Sequence, residues 1–100
     1  MSVEVLEKTN IKIDVKPPQL YCVIYHNDEQ TPAVFVAETL VRIFDYEVET
    51  ALAMTETISS QGKGVIVSGI TKELANHLKD LVLVDAQMNG HPLKVEAVPE

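Results

Sequence analysis

The sequence is poor in several features that would point to particular protein classes. It has a single cysteine, Cys22, so no disulfide can form within the chain. This agrees with a reducing compartment, because small secreted domains usually depend on several disulfides. Cys22 lies in an apolar run, and we expect it to fill the core or sheet rather than to act as a reactive thiol. No stretch approaches the roughly 20 apolar residues that a membrane span requires.

Positive charge is also scarce. The chain has 8 basic and 15 acidic residues, and its formal net charge is −7. The basic residues are not clustered, which argues against nucleic acid as a partner and favours proteins, cations or cationic groups. The histidines His26, His77 and His91 are far apart, so we expect no metal site and no cofactor. The N-terminal "MSVEVLEK" carries acids and lacks a long apolar core, and we do not expect a signal peptide there.

What remains is a chain of 100 residues, 46% of them hydrophobic, which predicts one small globular domain. Pro17 and Pro18 impose an extended connection near the start. We interpret residues 1–18 as a flexible N-terminal extension and residues 19–100 as the core domain. The alternation of apolar and charged residues in "IKIDVK" leaves a short edge strand as the alternative for the extension.

Three segments are predicted to be β-strands. Residues 20–26, "LYCVIYH", are β-branched or aromatic for the most part and contain no breaker. Residues 64–70, "GVIVSGI", form the second strand, one residue longer than expected for the family named below. Residues 91–98, "HPLKVEAV", alternate apolar with charged side chains. The "QGKG" of residues 61–64, at the start of the second strand, lacks the spacing of a phosphate-binding loop. It predicts a helix-to-strand turn.

Three helices are predicted between these strands. The Thr31 hydroxyl is expected to cap the first, with Pro32 tolerated in its first turn. Gly62 closes the second, and Thr71 caps the third. Apolar residues recur at helical spacing in the first two helices: Phe35, Val36, Leu40, Ile43 and Phe44, then Val48, Ala51, Leu52, Thr55 and Ile58. The order β-α-α-β-α-β predicts an α+β sandwich, with a three-stranded antiparallel sheet packed on three helices.

A polar cluster, Asn27, Asp28 and Glu29, directly follows the first strand. Two carboxylates could do acid–base work, but no nucleophile or partner histidine is placed to join them. An amide oxygen and a carboxylate on one turn can instead accept hydrogen bonds from an α-ammonium group, with charge-assisted strength. The alternative is a solvated turn whose side chains bond their own backbone, and the residue types alone favour that alternative.

From Lys16 onward the chain resembles the ClpS family, the adaptors that hand N-degron proteins to the Clp protease. The resemblance runs through "KPPQLYCVIYHNDEQTPAVFVAETLVRIFDYEVETA", "QGKG", "TKELA" and "GHPLKVEAV". Its most specific element is "NDEQTP", which follows the family pattern Asn-Asp-acidic-x-Thr-Pro. The C-terminal domain of the ribosomal stalk protein has the same order of elements but lacks the Asn-Asp turn. The resemblance therefore favours a binding site at the turn.

By this resemblance, Asn27 and Asp28 hold the free α-amino group of a substrate, and Thr31 shapes the rim. The resemblance also implies a hydrophobic pocket for the substrate's first side chain. Its walls are Ala33, Val36, Thr55, Ile58 and Leu93, each of which could equally be plain core.

Three positions of the binding site depart from the family pattern. Ser59 stands where the family has a histidine that completes the amino-group site, and its shorter hydroxyl would need a bridging water. Ala33 and Thr55 stand where the family has methionines. Both changes widen the pocket or make it more polar, and they mark the chain as a divergent member.

The resemblance also implies docking of the third helix on the N-terminal domain of a Clp-family AAA+ unfoldase. Thr71, Glu73 and Ala75 match the family pattern Thr-x-Glu-x-Ala-x-x-Lys, but Leu78 stands in place of the lysine. Lys79 is adjacent, and one position along a helix is about 100° around it. Docking to the usual ATPase is therefore open, although Thr71, Glu73 and Lys79 remain the candidates.

The sequence thus predicts a non-enzymatic adaptor that binds the N-terminal residue of N-degron substrates and delivers them to a Clp unfoldase. The predicted location is the cytoplasm, or the stroma for a plastid lineage. One alternative is an interaction domain that has kept the fold and lost end-group recognition. The other is an acidic enzyme that acts on small molecules.

Overall fold

The computed structural model describes residues 16–100. The flexible extension predicted for residues 1–18, or its alternative edge strand, therefore lies almost entirely outside the described residues. The predicted order of elements is confirmed. The elements are β1 (Tyr21–His26), α1 (Ala33–Phe44), α2 (Val48–Gln61), β2 (Lys63–Ile70), α3 (Lys72–Met88) and β3 (Lys94–Pro99).

The three strands form one antiparallel sheet in the order β2-β1-β3. Val23 and Tyr25 of the central strand are fully buried against the helices, whereas Ile24 and His26 on its other face are only half-buried. The extra length of β2 is taken up by irregular pairing with β1 and by Gly69, whose φ is 71°. A glycine at positive φ is typical of a β-bulge, which bends the strand and increases its twist.

The first helix begins differently from the prediction. Its N-cap is Pro32, whose carbonyl accepts hydrogen bonds from the amides of Phe35 and Val36, and no side chain caps the helix. The capping role predicted for Thr31 is therefore wrong, because that hydroxyl lies one residue too early and makes no hydrogen bond. The cap predicted for Thr71 is confirmed, since its Oγ1 accepts from the Leu74 amide at 3.2 Å.

The second helix buries less of its surface than the apolar stripe predicts. Only Ala51 and Ile58 are buried, whereas Val48 and Leu52 are 62% and 56% exposed. The helix packs on α1 and β2 at the side of the sandwich, and nothing in the described residues covers its outer flank. It ends at Gly62 as predicted, with φ of 90° and an amide bonded to the Ile58 carbonyl.

The last strand starts three residues later than predicted. The His91 amide donates to the Ala86 carbonyl at 2.8 Å and so closes the end of α3 instead of joining the sheet. Pro92 follows and has no N–H to donate to a ladder. Leu93 is nevertheless buried, and it points into the core just ahead of β3.

A buried pair of hydroxyls joins the sheet to the first helix. The Tyr25 hydroxyl lies 2.9 Å from Thr39 Oγ1, which donates in turn to the Val36 carbonyl at 2.8 Å. Tyr25 therefore donates to Thr39. Burial raises the pKa of Tyr25 well above its usual range, although the Thr39 hydrogen bond offsets part of the rise. Both buried hydroxyls are thus neutral and paired, and they fix α1 over the centre of the sheet.

Candidate binding site

The turn between β1 and α1 is held at both ends by hydrogen bonds. The Asn27 amide donates to the Gly62 carbonyl at 2.8 Å and ties the turn to the end of α2. Asp28 Oδ1 accepts from the amides of Gln30 and Thr31 at 2.9 and 2.6 Å. Such a side-chain turn fixes the carboxylate and its backbone together. The alternative that we kept for this turn therefore holds for one oxygen of Asp28.

The second oxygen of the carboxylate is free. Asp28 Oδ2 and Thr31 Oγ1 are both buried and have no hydrogen-bond partner. In the part of the chain that the structure describes, the only other such side-chain atom is His26 Nε2, which lies 3.4 Å from a Glu96 carboxylate oxygen. Buried polar atoms are nearly always satisfied, so two unsatisfied ones side by side indicate a place for a ligand or water.

The carboxylate is ionised at neutral pH. Its partial removal from water raises the pKa of Asp28, but the Thr31 side chain and the amides of Thr31 and Gln30 outweigh this, and His91 adds to the lowering. The net effect holds the pKa of Asp28 below its usual range. The Thr31 hydroxyl lowers the pKa of Asp28 because it lies near the carboxylate, although it is not positioned to form a hydrogen bond. The free oxygen therefore carries negative charge into the space beside it.

That space is a cavity of about 140 Å³. All nine predicted substrate-site residues line it, together with His26: Asn27, Asp28, Thr31, Ala33, Val36, Thr55, Ile58, Ser59 and Leu93. An apolar protein cavity of about 150 Å³ binds benzene. The cavity is thus of the size of a phenyl ring, with a charged turn at one side and aliphatic side chains at the other.

The cavity walls differ in how firmly they are packed. Val36, Ile58 and Leu93 are buried and belong to the hydrophobic core, so they serve as core and as lining at once. Ala33 is exposed, and Thr55 is half-buried with its hydroxyl donated to the Ala51 carbonyl at 2.7 Å. Because that hydroxyl is used within the helix, Thr55 adds less polarity to the cavity than its residue type suggests.

His26 is the one lining residue that was not predicted. It is the last residue of β1, and it pairs with Lys94 of β3. Strand alternation places its side chain on the face opposite Tyr25, close to Glu96, so it borders the cavity from the end of the strand. Its position directly before Asn27 was the only signal in the sequence.

The surface predicted to dock the unfoldase lies on α3. The Thr71 hydroxyl is occupied as the helix cap, Glu73 is exposed in the first turn, and Lys79 Nζ lies 3.6 Å from an Asp80 carboxylate oxygen. Leu78 is half-buried. The three candidates are thus placed on one helix away from the cavity lining, and their role stays a prediction.

Two further observations concern residues 16–100. No group of three or more His, Cys, Asp or Glu side chains there is arranged to hold a metal ion. Within the same range, every helix is too short or too polar to cross a lipid bilayer.

Comparison with known proteins agrees with the geometry. The family model of the ATP-dependent Clp protease adaptor protein ClpS matches residues 16–96. The chain belongs to the ClpS family. The ClpS adapter of Cronobacter sakazakii is 39% identical over 88 residues, which cover 88% of this chain and 82% of that protein. The ClpS adapter of Serratia proteamaculans is 40% identical over 79 residues, which cover 79% of this chain and 74% of that protein.

A solved ClpS structure shares the fold. Agrobacterium tumefaciens ClpS2 bound to L-phenylalaninamide superposes with a TM-score of 0.81 at 27% identity. The match covers 84% of this chain and 100% of that one. The resemblance to ClpS and the α+β fold class are confirmed, and the identity levels fit a divergent member. The chain is accordingly a ClpS-type adaptor of the Clp protease system.

Proposed function

We propose that this ClpS protein binds the N-terminal residue of N-degron substrates and delivers them to a Clp-family AAA+ unfoldase. It would recognise a free α-amino group together with a bulky hydrophobic side chain. One observation carries the proposal: an ionised carboxylate with a buried, unpartnered oxygen borders a cavity of the size of a phenyl ring, and aliphatic side chains line part of that cavity.

The turn supplies acceptors for an ammonium group, which has three N–H donors. Asp28 Oδ2 offers the charge, and the Asn27 side chain, exposed beside it, offers a neutral amide oxygen. Ser59 borders the same cavity from α2 and can accept a third hydrogen bond through a bridging water. Hydrogen bonds to charged groups contribute about 1.5–3 kcal/mol, and the Asp28 bond is the strongest of the set because both of its partners are charged.

The cavity supplies the contact for the first side chain. Val36, Ile58 and Leu93 present aliphatic surface, and full burial of a Leu or Phe side chain contributes about 1.5–3 kcal/mol. L-phenylalaninamide, the ligand of the ClpS2 relative, combines a free α-amino group with a benzyl side chain. Its amide stands where the chain of a protein would continue. That ligand matches the two halves of the cavity described above.

Delivery to the unfoldase is the second half of the proposal. Thr71, Glu73 and Lys79 on α3 are the candidate contacts with the unfoldase N-terminal domain. The adaptor itself contributes no catalytic step, and the peptide bond is cut by the partner protease. The partners are proteins, not nucleic acid or membrane, and the proposed location is the cytoplasm or a plastid stroma.

A titration with two peptides tests the recognition step. Both begin with Phe, and one is acetylated at its N-terminus. Acetylation removes the positive charge and two donors, so we expect affinity to fall at least about tenfold, or 1.4 kcal/mol. Equal affinity for the two peptides would contradict end-group recognition and favour an interaction domain that has lost it.

A truncation tests the delivery step. The resemblance to ClpS implies that the N-terminal extension takes part in handing substrate over. Deleting residues 1–15 should leave peptide affinity unchanged and slow degradation of a Phe-tagged substrate by the unfoldase and protease. Degradation at the full rate would show that the extension is dispensable.

A further inference from the structure

A shallow groove lies beside the cavity, between α1 and α2. It is about 420 Å³ in volume. Its lining is Ala33, Val34, Leu52, Thr55, Glu56 and Ser59. Val34 is 74% exposed and Leu52 is 56% exposed, which is high for aliphatic side chains on two neighbouring helices. We refer to this feature as the α1–α2 groove.

The groove and the cavity share a wall. Ala33, Thr55 and Ser59 line both, so the two spaces meet along these three residues. All three side chains are small. Thr55 is further drawn in, because its hydroxyl bonds the Ala51 carbonyl within the helix. The wall is therefore low, and a peptide backbone can cross it without displacing a large side chain.

We propose that the α1–α2 groove binds an apolar side chain at the second position of the substrate. This inference rests on the proposed function, since it assumes that the first residue is held at Asp28. Side chains of consecutive residues in an extended chain point in opposite directions. A backbone that crosses the shared wall thus places its first side chain in the cavity and its second in the groove.

The chemistry of the groove selects the kind of side chain. Val34 and Leu52 form its apolar surface, and Glu56 is its one charged lining residue. An aliphatic second residue would cover exposed Val34 and Leu52 and remove apolar surface from water. A polar residue of the same size would lose this gain. Single exposed apolar residues are normal on protein surfaces. Val34 and Leu52, however, lie in a groove that is continuous with the cavity. This continuity indicates that the groove binds the residue next to the one held in the cavity.

Two peptides and two variants test the inference. The peptides begin Phe-Leu and Phe-Asn and are otherwise identical, because Leu and Asn are similar in size and differ in polarity. Leu52→Gln removes apolar surface from the groove, and its exposure should leave thermal unfolding unchanged. Leu81→Gln is the matched control, since Leu81 is 44% exposed on α3 and lines neither space.

Wild-type protein should bind the Phe-Leu peptide about tenfold more tightly, the effect of partly burying one aliphatic side chain. Leu52→Gln should cut this preference to below about threefold without changing affinity for the Phe-Asn peptide, and Leu81→Gln should leave the preference intact.

Acetylated versions of both peptides separate the inference from the proposal beneath it. If the free peptides bind more tightly than the acetylated ones and yet show no Leu preference, the groove inference is wrong and end-group recognition stands. A Leu preference that survives Leu52→Gln in full would also overturn the inference. If acetylation has no effect, the proposed function fails and the inference fails with it.

Discussion

The turn at residues 27–31 and the helical wall at Ala33 and Thr55 border the same cavity but are built in opposite ways. The turn is polar and tied down by backbone hydrogen bonds to Asp28 and Gly62. The wall is formed by small side chains that leave space open on both sides. Every N-terminus carries the same amine, whereas side chains differ. A rigid turn suits the constant group, and a low wall suits a varied one.

Removing the carboxylate from the turn should have the largest effect. Asp28→Ala should weaken binding of a Phe-initiated peptide by about 1.5–3 kcal/mol, because it deletes the only formal charge that meets the amine. Calorimetric titration measures the change. Glu29→Ala is the matched control, since Glu29 is the next acid on the turn, is exposed, and does not line the cavity. Equal losses for the two variants would indicate a general electrostatic effect instead of a specific contact.

Raising the wall should change which first residue is accepted. Val and Ile branch at Cβ and need width at the mouth of the cavity, whereas Leu and Phe branch further out. Wild-type protein should therefore discriminate weakly against Ile and Val and hold Leu loosely, because unfilled volume forfeits contacts. It should also accept the larger Trp. Ala33→Met should narrow the choice to Leu, Phe and Tyr.

Binding of peptides that begin Leu, Phe, Ile and Val measures this selectivity. Glu38→Met, an exposed position on the same helix outside the cavity, is the control. Rejection of Ile and Val by wild-type protein by more than about 100-fold, or 2.7 kcal/mol, would show that neighbouring side chains close the space beside Ala33.

Removing the hydrogen bond between Tyr25 and Thr39, which joins the sheet to α1, should have a smaller effect. It should lower the stability of the fold. Tyr25→Phe removes the donor to Thr39 and leaves a buried acceptor half-satisfied, at a cost of about 1–2 kcal/mol in the free energy of unfolding. Thermal or urea unfolding measures it. Tyr21→Phe is the control, because Tyr21 is half-buried and its hydroxyl makes no hydrogen bond within residues 16–100. An equal shift for both variants would remove the special role of the Tyr25–Thr39 pair.

The smallest expected effect is that of mild acid. The pKa of Asp28 is lowered, so its contribution to stability and to amine binding is present above its unfolded value and is lost only as pH falls through the lowered one. Peptide affinity should thus be flat from about pH 7 to 5, and should fall above about pH 8 as the peptide amine loses its proton. A marked loss between pH 7 and 5 would mean that a group other than Asp28 carries the charge dependence.

The sequence predicts the elements well where the signal is local. Gly62 and Thr71 end and begin helices as their residue types indicate. Prediction from the sequence fails where contacts with other parts of the chain determine the local structure. Asp28 bonds the Thr31 amide and the helix begins only at Pro32, so the Thr31 hydroxyl caps nothing. Leu52 is exposed because nothing in the described residues covers its side of α2.

The site itself could not be derived from periodicity. Val36, Ile58 and Leu93 are core residues that also line a cavity, and the two roles have the same composition. The motif "NDEQTP" and the ClpS resemblance supplied the cavity residues. His26 has no counterpart in that motif, and only the strand pairing shows its place at the cavity edge.

The most direct test of the account is a double-mutant cycle between Asp28 and the peptide amine. Asp28→Asn keeps an oxygen for the amides of Gln30 and Thr31 and removes the charge, so the turn is preserved. Free and acetylated forms of one Phe-initiated peptide are titrated against wild type and variant. If the carboxylate binds the amine, acetylation costs at least about 1 kcal/mol more in wild type than in the variant. Equal costs of acetylation in the two proteins would contradict the account.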